Sequence, residues 1–203
     1  MAILAVQIQH SSKHSRHHGR NSVYAADAAE SQIRLLVIDP DEHNGTVSCT
    51  MQTVKMWEQA FDALSYCWGS PVKDTRIIVN GTQLKVTANL AAALSHFRQS
   101  GVASDVPIWI DAICINQADT TERGSQVQFM GSLYQQARKV HVWLGNESAV
   151  PRASMRALAE LSEYMLQYDA EHWIKKEDPN SVQKFRDLLT LIQNAYWTRA
   201  WVQ

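Results

Sequence analysis

Apolar positions change their spacing twice between Pro107 and Gly145, and that change sets out the centre of the chain. Ile108-Trp109-Ile110 is a short, partly β-branched apolar run of the kind a buried strand carries. Val127, Met130, Tyr134 and Ala137 then recur at helical spacing. Lys139 to Leu144 returns to period two, and Gly145 stops it. Strand, helix and strand of this length predict a βαβ crossover with the strands at Ile108 and Val140 running as a parallel pair.

Upstream, Ile33 to Ile38 (IRLLVI) reads as a strand, and Asp39 to Gly45 as a turn rich in Asp, Asn, Pro and Gly. Thr46 to Met51 alternates as the partner strand, and Ala63 to Gly69 is a third strand. Arg76–Val79 and Thr82–Val86 flank Asn80-Gly81, the strongest hairpin signal in the chain. Thr87 can cap a helix over residues 88–99, with Leu90, Leu94 and Phe97 as its stripe and Gly101 as its stop.

Downstream, Ser148 and Pro151 introduce a helix lined by Met155, Leu158, Leu161, Met165 and Tyr168. After a charged loop, Val182, Phe185, Leu188, Leu189 and Ile192 line a last helix. Tyr196 to Gln203 looks like the start of another strand, so the chain is expected to be a fragment of a longer protein. The predicted fold is α/β: a central, partly parallel sheet with flanking helices plus antiparallel hairpin strands. Its core should include Leu36, Leu64, Leu90, Leu94, Ile108, Ile110, Val127, Met130, Val142, Leu144, Leu158, Leu161 and Leu188.

Residues 1–31 differ from the rest. They hold half of the eight histidines and no acid before Asp27. With little to bury, they read as a disordered tail ahead of a domain over 32–203. Arg and Ser without acids also fit a transit segment, and histidine-rich metal binding is a weaker reading.

Composition narrows the function classes. A formal net charge of -1 gives no bulk electrostatic case for nucleic acid or an anionic membrane. No apolar run reaches the roughly 20 residues of a membrane helix. Three cysteines without CxxC spacing suggest a reducing compartment and no disulfide framework.

The densest chemistry lies at the carboxyl end of the Ile108 strand, where open α/β sheets place their ligands. Asp111 stands at the strand's end, and Cys114, Asn116, Gln117, Asp119, Glu122 and Arg123 crowd the next turn. Two readings stand side by side. In one, Asp111 or Glu122 supplies a carboxylate to a small-molecule pocket, and Asn116, Gln117 and Arg123 supply hydrogen bonds. In the other, Asp119 and Glu122 form a capping-box-like pair, Asn116 makes a turn, and Arg123 pairs with an acid. Asp111, bordering a buried strand, should itself be buried and hydrogen-bonded. Ser65 or Cys67 could serve as a nucleophile, but G-x-S-x-G is absent and nothing places His96 or His141 beside them. No zinc, EF-hand or phosphate-loop motif occurs.

Several blocks, in order, resemble the heterokaryon incompatibility (HET) domain of filamentous fungi. They are Ile33-Arg34-Leu35-Leu36, Ala63-Leu64-Ser65-Tyr66-Cys67-Trp68-Gly69, Asn80-Gly81 with Thr87-Ala88-Asn89-Leu90, and Trp109 to Arg123. Gln126-Val127, Met130, Tyr134, Val140 to Gly145, and Tyr196-Trp197 with Arg199 and Trp201 complete the series. The resemblance covers roughly residues 32–203; the tail matches no part of it, and the family usually continues past the last tryptophan. It implies an effector of non-self recognition and programmed cell death, a form of fungal innate immunity. It also implies a remote likeness to the TIR domain, hence a TIR-like core and, in some TIR domains, cleavage of NAD by a glutamate.

On that basis Glu122 leads and Asp111 follows as the catalytic carboxylate. Ser65, Tyr66, Trp68, Asn116, Gln117, Asp119 and Arg123 become candidate substrate-binding residues. No cofactor or metal is expected, NAD being a candidate substrate. The resemblance further implies action with protein partners or receptor domains as a homo-oligomer when active; the cysteines point to the cytoplasm, and charge and hydropathy to neither nucleic acid nor membrane as a partner. The alternative function is a non-enzymatic signalling module that oligomerises and recruits partners.

Overall fold

A computed structural model describes residues 3–6, 32–40, 45–101, 106–146, 149–167 and 181–198. The strands are β1 (Ile3–Val6), β2 (Gln32–Ile38), β3 (Ser48–Lys55), β4 (Asp62–Tyr66), β5 (Thr75–Val79), β6 (Thr82–Val86), β7 (Ile108–Trp109) and β8 (Val140–Trp143). The helices are α1 (Ala88–Ser100), a single turn α2 (Asp111–Cys114), α3 (Thr120–Gln136), α4 (Arg152–Gln167) and α5 (Ser181–Ile192). A 3₁₀ turn follows at Ala195–Thr198. Of the expected tail, Ile3–Val6 forms a strand and residues 7–31 lie outside the described ones. The chain divides into two compact units, and the larger comprises Ala5–Ser65 with Val72–Val142.

The sheet order β1-β8-β4-β7-β2-β3-β5-β6 mixes the two kinds of pairing, which makes the fold α/β with a partly parallel sheet. β2 and β3 run antiparallel from Gln32↔Lys55 to Ile38↔Cys49. β3 pairs parallel with β5, and β4 parallel with β7. β5 and β6 form the expected hairpin, with Val79↔Thr82 closing it. Asn80 and Gly81 both take positive φ, 51° and 75°, the conformation that a two-residue hairpin turn demands.

One expectation is corrected. The strands at Ile108 and Val140 are not direct neighbours, because β4 lies between them. Ala63 N donates to Lys139 O, and β4 pairs with β7 on its other side. β4 is buried at every position, as a strand covered on both faces should be. A crossover helix can span one inserted strand as readily as none, so the helical length alone did not settle adjacency.

α1 forms as its caps dictate. Thr87 Oγ1 accepts from Leu90 N, and Gly101 takes φ 66° and donates to Arg98 O. It packs against β5 and β2 through Leu90, Ala93, Leu94 and Phe97. Leu35, Leu36, Leu64, Ile108 and Ile110 fill the same core. Val142 and Leu144 are buried as expected, but the stripe on α3 is not. Val127 is 56% exposed and Met130 half-buried, whereas Leu133 and Ala137 are fully buried. Tyr134 sets its ring edge-on to Trp109 at 5.6 Å and donates from its hydroxyl to Leu64 O. The first half of α3 is therefore a helix over solvent, held by its cap and by ion pairing.

The smaller unit contains α4, α5 and the 3₁₀ turn. α4 packs against α5, with Lys184 Nζ 2.9 Å from Glu160 Oε2. Leu188 and Leu191 are buried, while Val182, Phe185, Leu189 and Ile192 are exposed and Leu158 and Leu161 half-buried. The expected face of α5 is thus rotated, because an apolar stripe fixes a sector of the helix and not the flank a neighbour covers. The strand expected from Tyr196 is not formed at its start. Asn194 Oδ1 accepts from Tyr196 N, and the Trp197 indole donates to Leu191 O at 2.7 Å, so local bonds favour a turn. Ser148, Met165 and Tyr168 concern side chains outside the described ones, as do residues 199–203. Among the described residues, no helix is long and apolar enough to cross a membrane.

Candidate functional site

β2 and β3 supply the floor of the site. Side chains alternate along a strand, so Gln32 and Arg34 share one face of β2. Thr53 is the cross-strand partner of Arg34 and joins that face from β3. On α3, Glu122 and Gln126 are one helical turn apart and form the wall. With Cys114 these residues line a cleft of ≈ 370 Å³.

The turn leading into α3 is built from its own polar side chains. Asp111 is 4% exposed, and its Oδ1 accepts from Ala112 N at 2.7 Å, so it is buried and hydrogen-bonded as expected. Gln117 Nε2 donates to Asp111 O. Asn116 Oδ1 accepts from Ala118 N. Asp119 is the helix N-cap and accepts from Thr121 N and Glu122 N. The capping box is only half formed, because the Glu122 carboxylate turns away from the cap. Its Oε1 accepts from Asn116 N at 2.8 Å and from Arg34 Nη2, which completes an ion pair. Arg34 is in turn anchored by its Nε, which donates to Cys114 O at 2.8 Å. Arg34 and Glu122 stay partly solvent-accessible, with side chains 32% and 24% exposed. A carboxylate in the first turn of a helix also gains from the positive end of the helix dipole.

Of the side chains singled out in this turn, Glu122 and Cys114 line the cleft, Glu122 being the carboxylate among them. Asp111, Asn116, Gln117 and Asp119 are used in holding the turn. Arg123 is exposed, and among the described residues its side chain makes no ion pair. Ser65 is buried in β4. Tyr66, buried, and Trp68, 39% exposed, belong to the smaller unit. Thiol chemistry has no support at the two buried cysteines. Burial pushes the Cys114 and Cys49 thiols up to about 12, with the charge of Asp39 adding to the effect at Cys49. His141 is committed to Asp62 and is no base for a cysteine.

Arg34, Gln32, Thr53 and Gln126 were missed by sequence reasoning. The signal for Arg34 was present: a lone cation in the run IRLLVI, flanked by Ile33 and Leu35 at 4% and 0% exposure. A charge at such a place needs a partner. The partner, 88 positions away, is not visible in the sequence.

The family model for "Heterokaryon incompatibility protein (HET)" matches residues 61–203. The chain is 30% identical over 198 residues to "Heterokaryon incompatibility protein 6, OR allele" of Neurospora crassa, a match covering 85% of this chain and 29% of that protein. The chain thus spans under a third of the length of that relative. No solved structure matches it. The two matches place this chain in the heterokaryon incompatibility family.

Proposed function

We propose that this HET domain is the effector of a fungal non-self recognition response ending in cell death, and that it acts by hydrolysing NAD in the Glu122 cleft. The observation that carries this reading is the placement of Glu122: it is the candidate carboxylate that lines a cleft, with one oxygen held by Asn116 N and Arg34 Nη2. Hydrolysis breaks the bond between the ribose C1′ and the nicotinamide nitrogen. The bonding pair goes to the pyridinium, which leaves as neutral nicotinamide and needs no proton. The sugar becomes oxocarbenium-like, water adds, and one proton is released with ADP-ribose. Charge of that kind is stabilised by a carboxylate, as in glycoside hydrolysis. An ionised Glu122, which Arg34 and the helix terminus favour, suits this step and rules against a general-acid role.

The test is NAD consumption by the purified chain at high concentration with a crowding agent. Glutamate-dependent loss of NAD with nicotinamide release is expected, and Glu122→Gln should abolish it while leaving the thermal unfolding transition in place. Persisting NAD loss in a folded Glu122→Gln protein would remove the assignment.

A second reading has its own support. The polar side chains of Asp111, Asn116, Gln117 and Asp119 each make hydrogen bonds within the turn. That is what a signalling module would need, one that kills by oligomerising and recruiting partner or receptor domains, with the turn as architecture. Death that tracks assembly without NAD loss would select it.

A further inference from the structure

We infer that Arg34 is the positioning residue of this site: it fixes the Glu122 carboxylate by one oxygen and leaves the other for the ligand. The inference rests on the reading of Glu122 as the ribose-facing carboxylate. Arg34 is held at two points. Its backbone is in β2, paired to β3 through Thr53, and its Nε donates to Cys114 O. The guanidinium is planar, so these two restraints set the direction of Nη2, which meets Glu122 Oε1.

Asn116 N donates to the same oxygen. Oε1 thus takes both bonds, and among the described residues Oε2 takes none. A carboxylate at the start of a solvent-covered helix would otherwise turn among rotamers. Here one oxygen is pinned from the sheet and from the preceding turn, and Oε2 keeps its lone pairs for the cleft that Glu122 lines. Holding a reacting group in place is worth a large rate factor, and small misplacements are costly. The neighbours of the carboxylate fit a hydroxylated ligand bearing an amide: Gln32 and Gln126 present carboxamides, and Thr53 a hydroxyl. The nicotinamide riboside half of NAD has that chemistry.

Arg34→Lys keeps the charge and loses the planar fork. Arg34→Ala loses both. Each is compared with the native chain for kcat and KM of NAD loss, for thermal unfolding, and for rescue of Arg34→Ala by added methylguanidinium. Arg34→Lys should unfold near the native temperature, yet lose on the order of 10- to 100-fold in kcat with little change in KM. Methylguanidinium should restore part of the Arg34→Ala rate. A role in stability alone would leave kcat of folded Arg34→Lys at the native value, and that result overturns the inference while the reading of Glu122 stands. No NAD loss from the native chain, or loss that survives Glu122→Gln, overturns the reading and the inference with it. Should Arg34→Ala fail to fold, the kcat of Arg34→Lys decides alone.

Discussion

His141 Nε2 lies 2.7 Å from Asp62 Oδ2, and both side chains are almost wholly buried, at 3% and 1% exposure. An ionised carboxylate only accepts, so Nε2 carries the proton of this bond. Arg138 approaches the same carboxylate from the other side, Nε to Oδ1 at 3.0 Å and Nη2 to Oδ2 at 3.3 Å. Arg138 N also donates to Phe61 O, and the His141 ring packs edge-on against Phe97 at 5.3 Å. The cluster ties the first residue of β4 to β8 and to α1, and it takes no part in the Glu122 cleft.

Breaking this cluster should be costly. Asp62→Ala leaves His141 buried with no acceptor, and its Nδ1 already has no partner among the described residues. Removing one member of a buried, hydrogen-bonded pair costs about 3–5 kcal/mol, and the 47% exposure of Arg138 points to about 3. Urea unfolding of Asp62→Ala against the native chain measures it. A loss under about 1 kcal/mol would show that the cluster contributes little.

The same carboxylate gives an acid limb. Burial alone would raise the Asp62 carboxyl, but hydrogen bonds from His141 and Arg138, followed by their charges, outweigh it and hold the group below its ordinary value of 3.8. A carboxyl depressed in the folded state contributes stability that is fully present above the unfolded value. That stability is lost as pH falls through the folded one. The stability difference between the native chain and Asp62→Asn should therefore be present in full at about pH 5 and shrink below about pH 4. A difference that stays constant down to pH 3 would refute the linkage.

The thiols should separate by burial. Cys49 and Cys114, pushed up to about 12, hold almost no thiolate at neutral pH. In the native protein at pH 8, Ellman's reagent should leave both unmodified and reach Cys67 at most, with full reaction only after denaturation. Mass mapping of labelled Cys114 in folded protein would contradict the buried site.

Two positions on α3 test its packing. Val127 is 56% exposed, so Val127→Ala should change stability by no more than about 0.5 kcal/mol. Leu133 is 0% exposed, and Leu133→Ala should cost about 2–5 kcal/mol. Thermal or urea unfolding of both variants distinguishes this from the uniform stripe that the helical spacing suggests.

Local chemistry was legible without a structure. Thr87 and Gly101 bound a helix, Asn80-Gly81 makes a hairpin, and Asp119 caps α3, because each effect acts within four residues of its cause. The burial of Asp111 was legible too, since a carboxylate bordering an apolar strand must find donors close by. The ordered motif blocks were enough to indicate the family.

What the tertiary structure alone decided is everything that joins distant positions. It inserted β4 between the strands of the βαβ unit, exposed Val127 and buried Leu133, and turned α5 onto Leu188 and Leu191. It joined Arg34 to Glu122 and Asp62 to His141, and set the carboxylate of Glu122 in the lining of a cleft. The physical reason is the same in each case. Periodicity reports which face of an element is apolar, and a charge in an apolar run reports that it needs a partner. Which face is covered, and which partner answers, depends on strand order and register, and those are set by the packing of the whole sheet.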